Sequence, residues 1–252
     1  MLSCNKLAST AAPFAFVGGS SGLTVALDLA DPSDPASAKY TVSVFTFGDW
    51  GATTYFGSCC GSNANNYNLN AQETVATLMD IEAGSCGVPV QAILGHGDSL
   101  YWTGINSLES CDERFDASCE AKYDGDNIKN IPWVNAMGNH DYGGSNCICS
   151  VGNALVKCNT TEELFQGLEN KLKWQAEYTS PNGDRWNMND HFYIHRIEDT
   201  NSGVSIDIFN VDTNDADIHG PTSSSNATVT LAVAPLTAAT LSAKTPSAVV
   251  VT

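Results

Sequence analysis

Three short motifs in this sequence place glycine next to side chains that can bind metal ions. They are FGDWG at 47–51, GDSLY at 97–101 and GNHDY at 138–142. Carboxylate, carboxamide and phenol oxygens are hard ligands, and a histidine can donate a proton or hold an anion. Two metal ions about 3.5–4 Å apart can acidify a water molecule and clamp the oxygens of a phosphoryl group. The residue types therefore predict the first part of a two-metal site for phosphoester hydrolysis.

The candidate metal ligands are spread over all three motifs. Asp49 and Asp98 each follow a glycine at the end of a predicted strand, and Tyr101 lies close enough to Asp98 to reach the same ion. Asn139 can offer its carboxamide oxygen to a metal. Taken singly, an aspartate here usually caps a turn or a helix, and a nearby tyrosine usually packs. The combination of the motifs, each at a strand end, favours the metal-binding interpretation.

The third motif also provides a residue for proton transfer. His140 can donate a proton or hold a phosphate, and the next residue, Asp141, is expected to orient His140. The simpler alternative is that Asn-His-Asp forms only a polar turn.

The elements that must position these motifs follow an α/β pattern. Residues 41–47, 88–94 and 131–137 are predicted strands, because they are rich in apolar residues and each ends at a motif. Residues 71–82 are a predicted helix, and its buried face is expected to carry Val75, Leu78, Met79 and Ile81. This order predicts a mainly parallel sheet, in which sites lie just beyond the carboxyl ends of the strands.

Further helices are predicted around 111–123 and over 161–177. Residues 191–197 and 204–211 are predicted as a pair of strands joined by a turn at 201–203.

The composition changes at both ends of the chain and divides it into three parts. Residues 1–39 are predicted to be a leader and linker, in which 6–17 resembles a weak signal peptide. Residues 40–213 are predicted to form the folded domain. Residues 214–252 contain no aromatic residue and no cysteine, and Ala, Thr, Ser and Val dominate, which predicts a low-complexity tail.

The overall charge is strongly acidic. The 252 residues include 11 Lys and Arg against 28 Asp and Glu, for a net charge of −17, and 42% are hydrophobic, enough for a sizeable core. This composition argues against nucleic acid and anionic membranes as partners. No apolar run reaches the roughly 20 residues needed to span a bilayer. The composition leaves the oligomeric state open.

The cysteine content points to an oxidising compartment. Eight of the nine cysteines lie between residues 59 and 158, which favours a set of disulfides whose pairing the sequence leaves open. A zinc site is the alternative, but the spacings include no pair of C-x-x-C units. Glycosylation sequons at 159–161 and 226–228 agree with an extracellular or secretory location.

The chain resembles the calcineurin-like metallophosphoesterases, and within them the purple acid phosphatases of the tartrate-resistant type. The family's GDxG, GDxxY and GNHD blocks correspond to GDWG at 48–51, GDSLY at 97–101 and GNHD at 138–141. Tyr101 is the discriminating residue, because the family's GDxxY tyrosine binds ferric iron. The resemblance covers about 41–213 and implies a β-sandwich flanked by helices, α/β/β/α, which is incomplete in its C-terminal half.

The resemblance implies a role for each candidate site residue. Asp49 and Tyr101 would bind Fe(III), Asp98 would bridge to a second divalent ion (Fe, Zn or Mn), and Asn139 would bind that second ion. His140 would help to bind phosphate and to protonate the leaving group. The implied substrate is a small phosphomonoester.

The sequence departs from the family pattern in its C-terminal part. Three further histidine ligands are expected on later blocks, but His219 is the only histidine beyond residue 213. His191 and His195 share one strand face and are interpreted as having no metal role, and His96 as at most an outer-sphere group. Two alternatives therefore stay open: an inactive fragment or pseudoenzyme, and a secreted binding protein that reuses the fold.

Overall fold

The three strands predicted to carry the motifs lie side by side in one parallel sheet. A computed structural model describes residues 42–51, 71–144, 148–200, 204–212, 214 and 247–251. The sheet has the order β1-β2-β3-β6, in which β1 is Ser43–Phe47, β2 is Val90–Gly95, β3 is Trp133–Asn135 and β6 is Trp186–Asn187. Phe47 pairs with Gly95, which pairs with Asn135, so the carboxyl ends of three strands meet at one edge. The predicted parallel sheet is confirmed.

The alternation of side chains along β1 explains how the sheet buries both faces. Val42 and Val44 pack in one apolar cluster, whereas Phe45 packs in another and Phe47 lies against it. Successive side chains of a strand point to opposite faces. A sheet covered on both sides is the usual environment of parallel strands.

Helices connect these strands. Helix α1 is Ala71–Ser85, α2 is Cys111–Phe115 followed by a π-helical segment at Asp116–Glu120, and α3 is Thr161–Ala176. Helix α3 begins where Thr160 accepts a hydrogen bond from the Glu163 amide, at 3.2 Å. That side-chain cap satisfies one of the free amides at the helix start.

The expected buried face of α1 is largely wrong. Only Met79 of the predicted set is buried, and the helix buries Gln72 and Ala76 with it. The other members are exposed: Val75, Leu78 and Ile81. The polar Gln72 is buried because its amide donates to the Ser118 carbonyl at 2.7 Å, a contact that hydrophobic periodicity cannot reveal.

A second sheet contains the predicted pair of strands and one that was not predicted. Strands β7 (Phe192–Asp199) and β8 (Val204–Val211) pair antiparallel along their full length. Strand β9 (Ser247–Val251) pairs parallel with β8. A separate two-stranded antiparallel sheet is formed by β4 (Cys149–Val151) and β5 (Ala154–Val156). The proposed leader and most of the proposed tail lie outside the described residues.

The two larger sheets share one apolar cluster. Val44, Leu94 and Val134 of the first sheet pack in the same cluster as Ile197 and Ile208 of the second. The molecule is therefore a mixed α/β protein in which an antiparallel pair packs against the parallel sheet.

The cysteines are only partly disulfide-bonded. Cys149 bonds Cys158, and Cys86 is also disulfide-bonded. Cys111 and Cys119 are buried free thiols, so the expectation of a disulfide is wrong for these two. Cys111 lies on α2 and Cys119 on the π-helical segment, and both side chains are buried in the core. Cys4, Cys59, Cys60 and Cys147 lie outside the described residues.

The described helices include none that is both long enough and apolar enough to cross a membrane.

Candidate metal centre

The backbone of the first motif is bonded to the backbone of the second. The Asp49 amide donates to the Gly97 carbonyl and the Gly51 amide to the Asp98 carbonyl, each at 3.2 Å. Trp50, the residue after Asp49, is buried, and its ring centroid lies 4.7 Å from that of Trp133 on β3. The first motif is therefore anchored both to its neighbour and to the core.

Glycines permit this close approach of the motif loops. A Cβ atom at Gly51 would lie 1.8 Å from the Ser99 carbonyl oxygen, and one at Gly138 would lie 2.2 Å from Asp98 Oδ1. Both distances are far below any normal contact, so the loops can interlock only where these positions lack a side chain.

Asp49 and Asp98 share an uncommon backbone conformation. Their φ angles are 55° and 54°, in the left-handed region that few non-glycine residues adopt. Such strain concentrates at functional sites, where the surrounding structure holds it in place. The two carboxylates are thus presented in the same way from neighbouring strand ends.

Tyr101 joins the two carboxylates. Its hydroxyl oxygen lies 2.5 Å from Asp49 Oδ1 and 2.7 Å from Asp98 Oδ2, and the single hydroxyl proton is shared between these two acceptors. Burial, together with the hydrogen bonds to both aspartates, raises the pKa of the Tyr101 phenol. Three oxygen atoms from two motifs therefore converge on one point, and their predicted role as metal ligands stays a prediction.

The third motif meets this cluster mainly through its backbone. The His140 amide donates to Asp98 Oδ1 at 3.0 Å, and the Asn139 carbonyl accepts from the Gly144 amide at 2.8 Å. The Asn139 side chain is exposed, and within the described part of the chain no hydrogen bond joins it to the other candidate ligands. Its predicted role as a ligand stays a prediction.

Asp141 does not contact the His140 ring, so the expectation that it orients His140 is wrong. Its buried carboxylate accepts from the amides of Ser99 and Leu100 through Oδ1 and from the Gly138 amide through Oδ2, all at 2.8 Å. Burial raises the pKa of Asp141 to about 7, against the opposing effect of these amides. Asp141 therefore ties the second and third motif loops together.

The His140 ring is held by the residue after Tyr101. Its Nδ1 lies 3.3 Å from the Trp102 carbonyl oxygen, and its ring centroid is 4.4 Å from that of Trp102 at an interplanar angle of 88°. The Tyr101 ring lies 4.7 Å away on another side. The ring of His140 thus packs against two aromatic residues, Tyr101 of the second motif and Trp102, which follows it.

Two cations that the sequence analysis did not identify hold the segment after Tyr101. Arg114 donates to the Tyr101 carbonyl. The fully buried Lys171 donates to the Thr103 carbonyl, to the Ile105 carbonyl at 3.1 Å and to Asn106 Oδ1 at 3.0 Å. Both residues lie outside the three motifs, and nothing in the local sequence marks Lys171 as buried.

Two other described histidines, His191 and His96, make their hydrogen bonds to residues outside the oxygen cluster. His191 Nδ1 is 2.9 Å from Asp212 Oδ2, which also accepts from the Tyr142 hydroxyl at 2.5 Å. His96 Nε2 contacts the Thr46 hydroxyl. These contacts assign His191 and His96 to local hydrogen bonds.

The donor set fits a hard metal ion at the point where the oxygens converge. Asp49, Asp98 and Tyr101 offer carboxylate and phenol oxygens, which suit Fe(III) and other hard cations. Within the described residues no group of three or more His, Cys, Asp or Glu could hold a metal. The third converging donor is a phenol, and the described residues add no nitrogen ligand to it. The described residues therefore offer few ligands for a second metal ion.

Comparison with known proteins gives distant and partial matches. Tartrate-resistant acid phosphatase type 5 of Rattus norvegicus is 26% identical over 185 residues, covering 73% of this chain and 43% of the relative, and the Homo sapiens protein gives the same values. The Sus scrofa protein is 29% identical over 121 residues, covering 48% of this chain and 27% of the relative. The chain thus spans less than half the length of these curated relatives. They indicate a distant relationship to purple acid phosphatases.

No family model matches the chain. A solved structure of GAP50, the anchor in the inner membrane complex of Plasmodium, aligns with 71% of this chain and 46% of that chain, with a TM-score of 0.40 and 15% identity. No inference is drawn from so distant a likeness.

Proposed function

We propose that this chain carries the metal site of a phosphomonoester hydrolase of the purple acid phosphatase type. The observation that supports it best is the convergence of the Tyr101 hydroxyl on Asp49 and Asp98, at 2.5 and 2.7 Å. The distant relationship to tartrate-resistant acid phosphatases supports the same assignment. A second sheet packs on one face of the parallel sheet and helices pack on its other face, which agrees with the first three layers of an α/β/β/α sandwich.

Each candidate ligand has a proposed place in this site. Asp49 and Tyr101 would hold Fe(III), Asp98 would be shared with a second divalent ion, and Asn139 would contribute to that second ion. When bound, such ions would supply positive charge for the phosphoryl oxygens and would lower the pKa of a bound water. In return, a cation at the converging oxygens favours the ionised Tyr101, because opposite charge stabilises a phenolate.

His140 is the proposed acid of the reaction. It is attached to the cluster through its amide, which donates to Asp98 at 3.0 Å, so its ring lies beside the metal ligands. In this position it binds a phosphate oxygen and delivers a proton to the leaving group of a small phosphomonoester.

A second candidate function is the binding of a metal ion without catalysis. It is favoured by the described donor set, which lacks a nitrogen ligand at the point where Asp49, Asp98 and Tyr101 converge. Loss of even an outer-sphere partner of a metal ligand typically costs 10–100-fold in affinity or activity. A site short of direct ligands therefore holds one ion better than two.

The two candidates are separated by measuring metal content and the hydrolysis of an aryl phosphate on the same preparation. Catalysis predicts hydrolysis that falls at least about 100-fold in Asp98→Ala and is unchanged in the control His195→Gln. Bound iron without hydrolysis favours the second candidate. Hydrolysis that survives Asp98→Ala overturns the proposed catalytic function.

We also propose that the protein works in an oxidising compartment, such as the secretory pathway or the extracellular space. The Cys149–Cys158 bond supports this location, because such bonds persist where thiols are not kept reduced.

A further inference from the structure

The side chain that orients the proton-carrying histidine of this site is not the acidic residue next to it. Asp141 directs both of its carboxylate oxygens to the amides of Ser99, Leu100 and Gly138. A histidine that transfers protons usually has one ring nitrogen fixed by a hydrogen bond, which determines the form of the other. Another partner must therefore hold His140.

We propose that Trp102 is the positioning residue of His140. Its backbone carbonyl fixes which ring nitrogen carries the proton, and its indole fixes the orientation of the ring. The effect of this positioning on catalysis rests on the proposed function. The tautomer of His140 can be measured without it.

The carbonyl of Trp102 determines the tautomer. A carbonyl oxygen can only accept a hydrogen bond, so His140 Nδ1, at 3.3 Å from it, must be the donor. In the neutral ring the proton then lies on Nδ1, and Nε2 keeps the lone pair. Nε2 is therefore the ring nitrogen that can accept a hydrogen bond.

The position of that carbonyl is itself constrained on both sides. Arg114 donates to the carbonyl of the preceding residue, Tyr101, and Lys171 donates to the carbonyl of the following residue, Thr103. Both cations are buried. The Trp102 peptide is thus held between two charge-assisted hydrogen bonds, which are stronger than neutral ones.

The indole of Trp102 acts through its shape. Its ring stands nearly perpendicular to the His140 ring, with centroids 4.4 Å apart, an edge-to-face arrangement that favours one ring orientation. Within the described structure its Nε1 is buried without a hydrogen-bond partner. Phenylalanine can therefore replace it without the loss of a described hydrogen bond.

The test uses NMR of the histidine side-chain nitrogens in the full chain, treated with a chelator so that no paramagnetic ion broadens the signals. The His140 signals are assigned by their absence from His140→Asn. The tautomer is determined at alkaline pH, where the shifts no longer change. The variants are Trp102→Ala, Trp102→Phe, Asp141→Asn and, as a matched tryptophan control on α3, Trp174→Ala.

The expected result is that His140 carries its proton on Nδ1 in the unmodified chain, in Trp102→Phe and in Trp174→Ala. In Trp102→Ala the two nitrogen shifts should move towards each other, because without the indole the ring is no longer held against the carbonyl of residue 102 and samples both tautomers. A proton on Nε2 in the unmodified chain overturns the proposal even if no variant folds. A change in Asp141→Asn without a change in Trp102→Ala also overturns it.

If the chain hydrolyses an aryl phosphate, a second readout applies. Trp102→Ala should lower kcat about 10–100-fold with little change in KM, and Trp102→Phe should restore it. An unchanged kcat in Trp102→Ala contradicts the role of the indole. Absence of hydrolysis in the unmodified chain counts against the proposed function, whereas the tautomer measurement tests the positioning of His140 separately.

Discussion

Asp49 and Tyr101 lie 52 residues apart in sequence, yet their side chains meet at 2.5 Å. The sequence predicts this meeting, because both residues follow strands whose carboxyl ends share one edge of a parallel sheet. It does not predict the partner of Asp141, because an aspartate next to a histidine has many donors within reach. It also misses Lys171, since a lysine in a helix is normally solvated and its burial depends on carbonyls more than 60 residues away in sequence.

Lys171→Met tests the support of the segment that follows Tyr101. The substitution leaves the carbonyls of Thr103 and Ile105 buried without their donor, so we expect unfolding free energy to fall by about 3 kcal/mol. Lys173→Met is the matched control, because its side chain is mostly exposed on the same helix. Urea unfolding of both variants measures the difference, and equal stabilities would refute the role of Lys171.

His191 gives the fold a pH dependence of known sign. The hydrogen bond to Asp212 raises the pKa of His191 above its usual value of 6.5. Burial acts to raise the pKa of Asp212, but hydrogen bonds from His191 and Tyr142 outweigh it and lower that pKa. The pair is therefore fully formed between about pH 4 and pH 6.5. Its contribution disappears as pH rises through the folded pKa of His191.

His191→Gln should remove this contribution. We expect the variant to lose about 1 kcal/mol of stability near pH 5.5 and little near pH 9. His195→Gln is the control with the opposite sign, because burial lowers the pKa of His195 and its protonation destabilises the fold at acidic pH. Thermal or urea unfolding over this range checks both, and a loss that is independent of pH would exclude the ion pair as its cause.

The motif loops act as one interlocked element. Backbone hydrogen bonds join the first to the second, and the Asp141 carboxylate joins the second to the third. Tight approach at Gly51 and Gly138 leaves no room for a side chain at either position. The geometry of the site is therefore set by backbone contacts between strand ends, with the side chains carried on them.

Gly51→Ala tests this interlocking. A Cβ atom there would overlap the Ser99 carbonyl, and backbone cannot move aside as a flexible side chain can, so we expect a loss of at least about 3 kcal/mol. Gly87→Ala is the control, because nothing lies within 4 Å of its added atom. Unfolding midpoints of the two variants provide the measurement. A Gly51→Ala protein as stable as the control would show that the loops do not interlock.

Strands and helices differ in how far the sequence predicts them. The strands that precede the motifs are recognisable, because their apolar residues alternate between two buried faces and end at glycine. The buried face of α1 is predicted wrongly, since Leu78 and Ile81 are apolar but exposed to solvent. Strand β9 is missed because Ser247–Val251 lies in a segment of Ala, Thr, Ser and Val that has no aromatic anchor.

The whole molecule combines an acidic surface with a site that would attract cations. The net charge of −17 repels anionic substrates at long range, and bound metal ions would reverse that field locally. The described residues form a parallel sheet with a second sheet packed on it, which agrees with the N-terminal part of the fold that the resemblance implies. The central claim is that this assembly holds iron through Tyr101.

The most direct test is the visible absorption spectrum of the chain after it is loaded with Fe(III). We expect a charge-transfer band from the Tyr101 phenolate to iron, present in the unmodified chain and in the control Tyr193→Phe. The band should vanish in Tyr101→Phe, in a protein that remains folded by circular dichroism. Bound iron without the band, or a band that survives in Tyr101→Phe, would contradict the account.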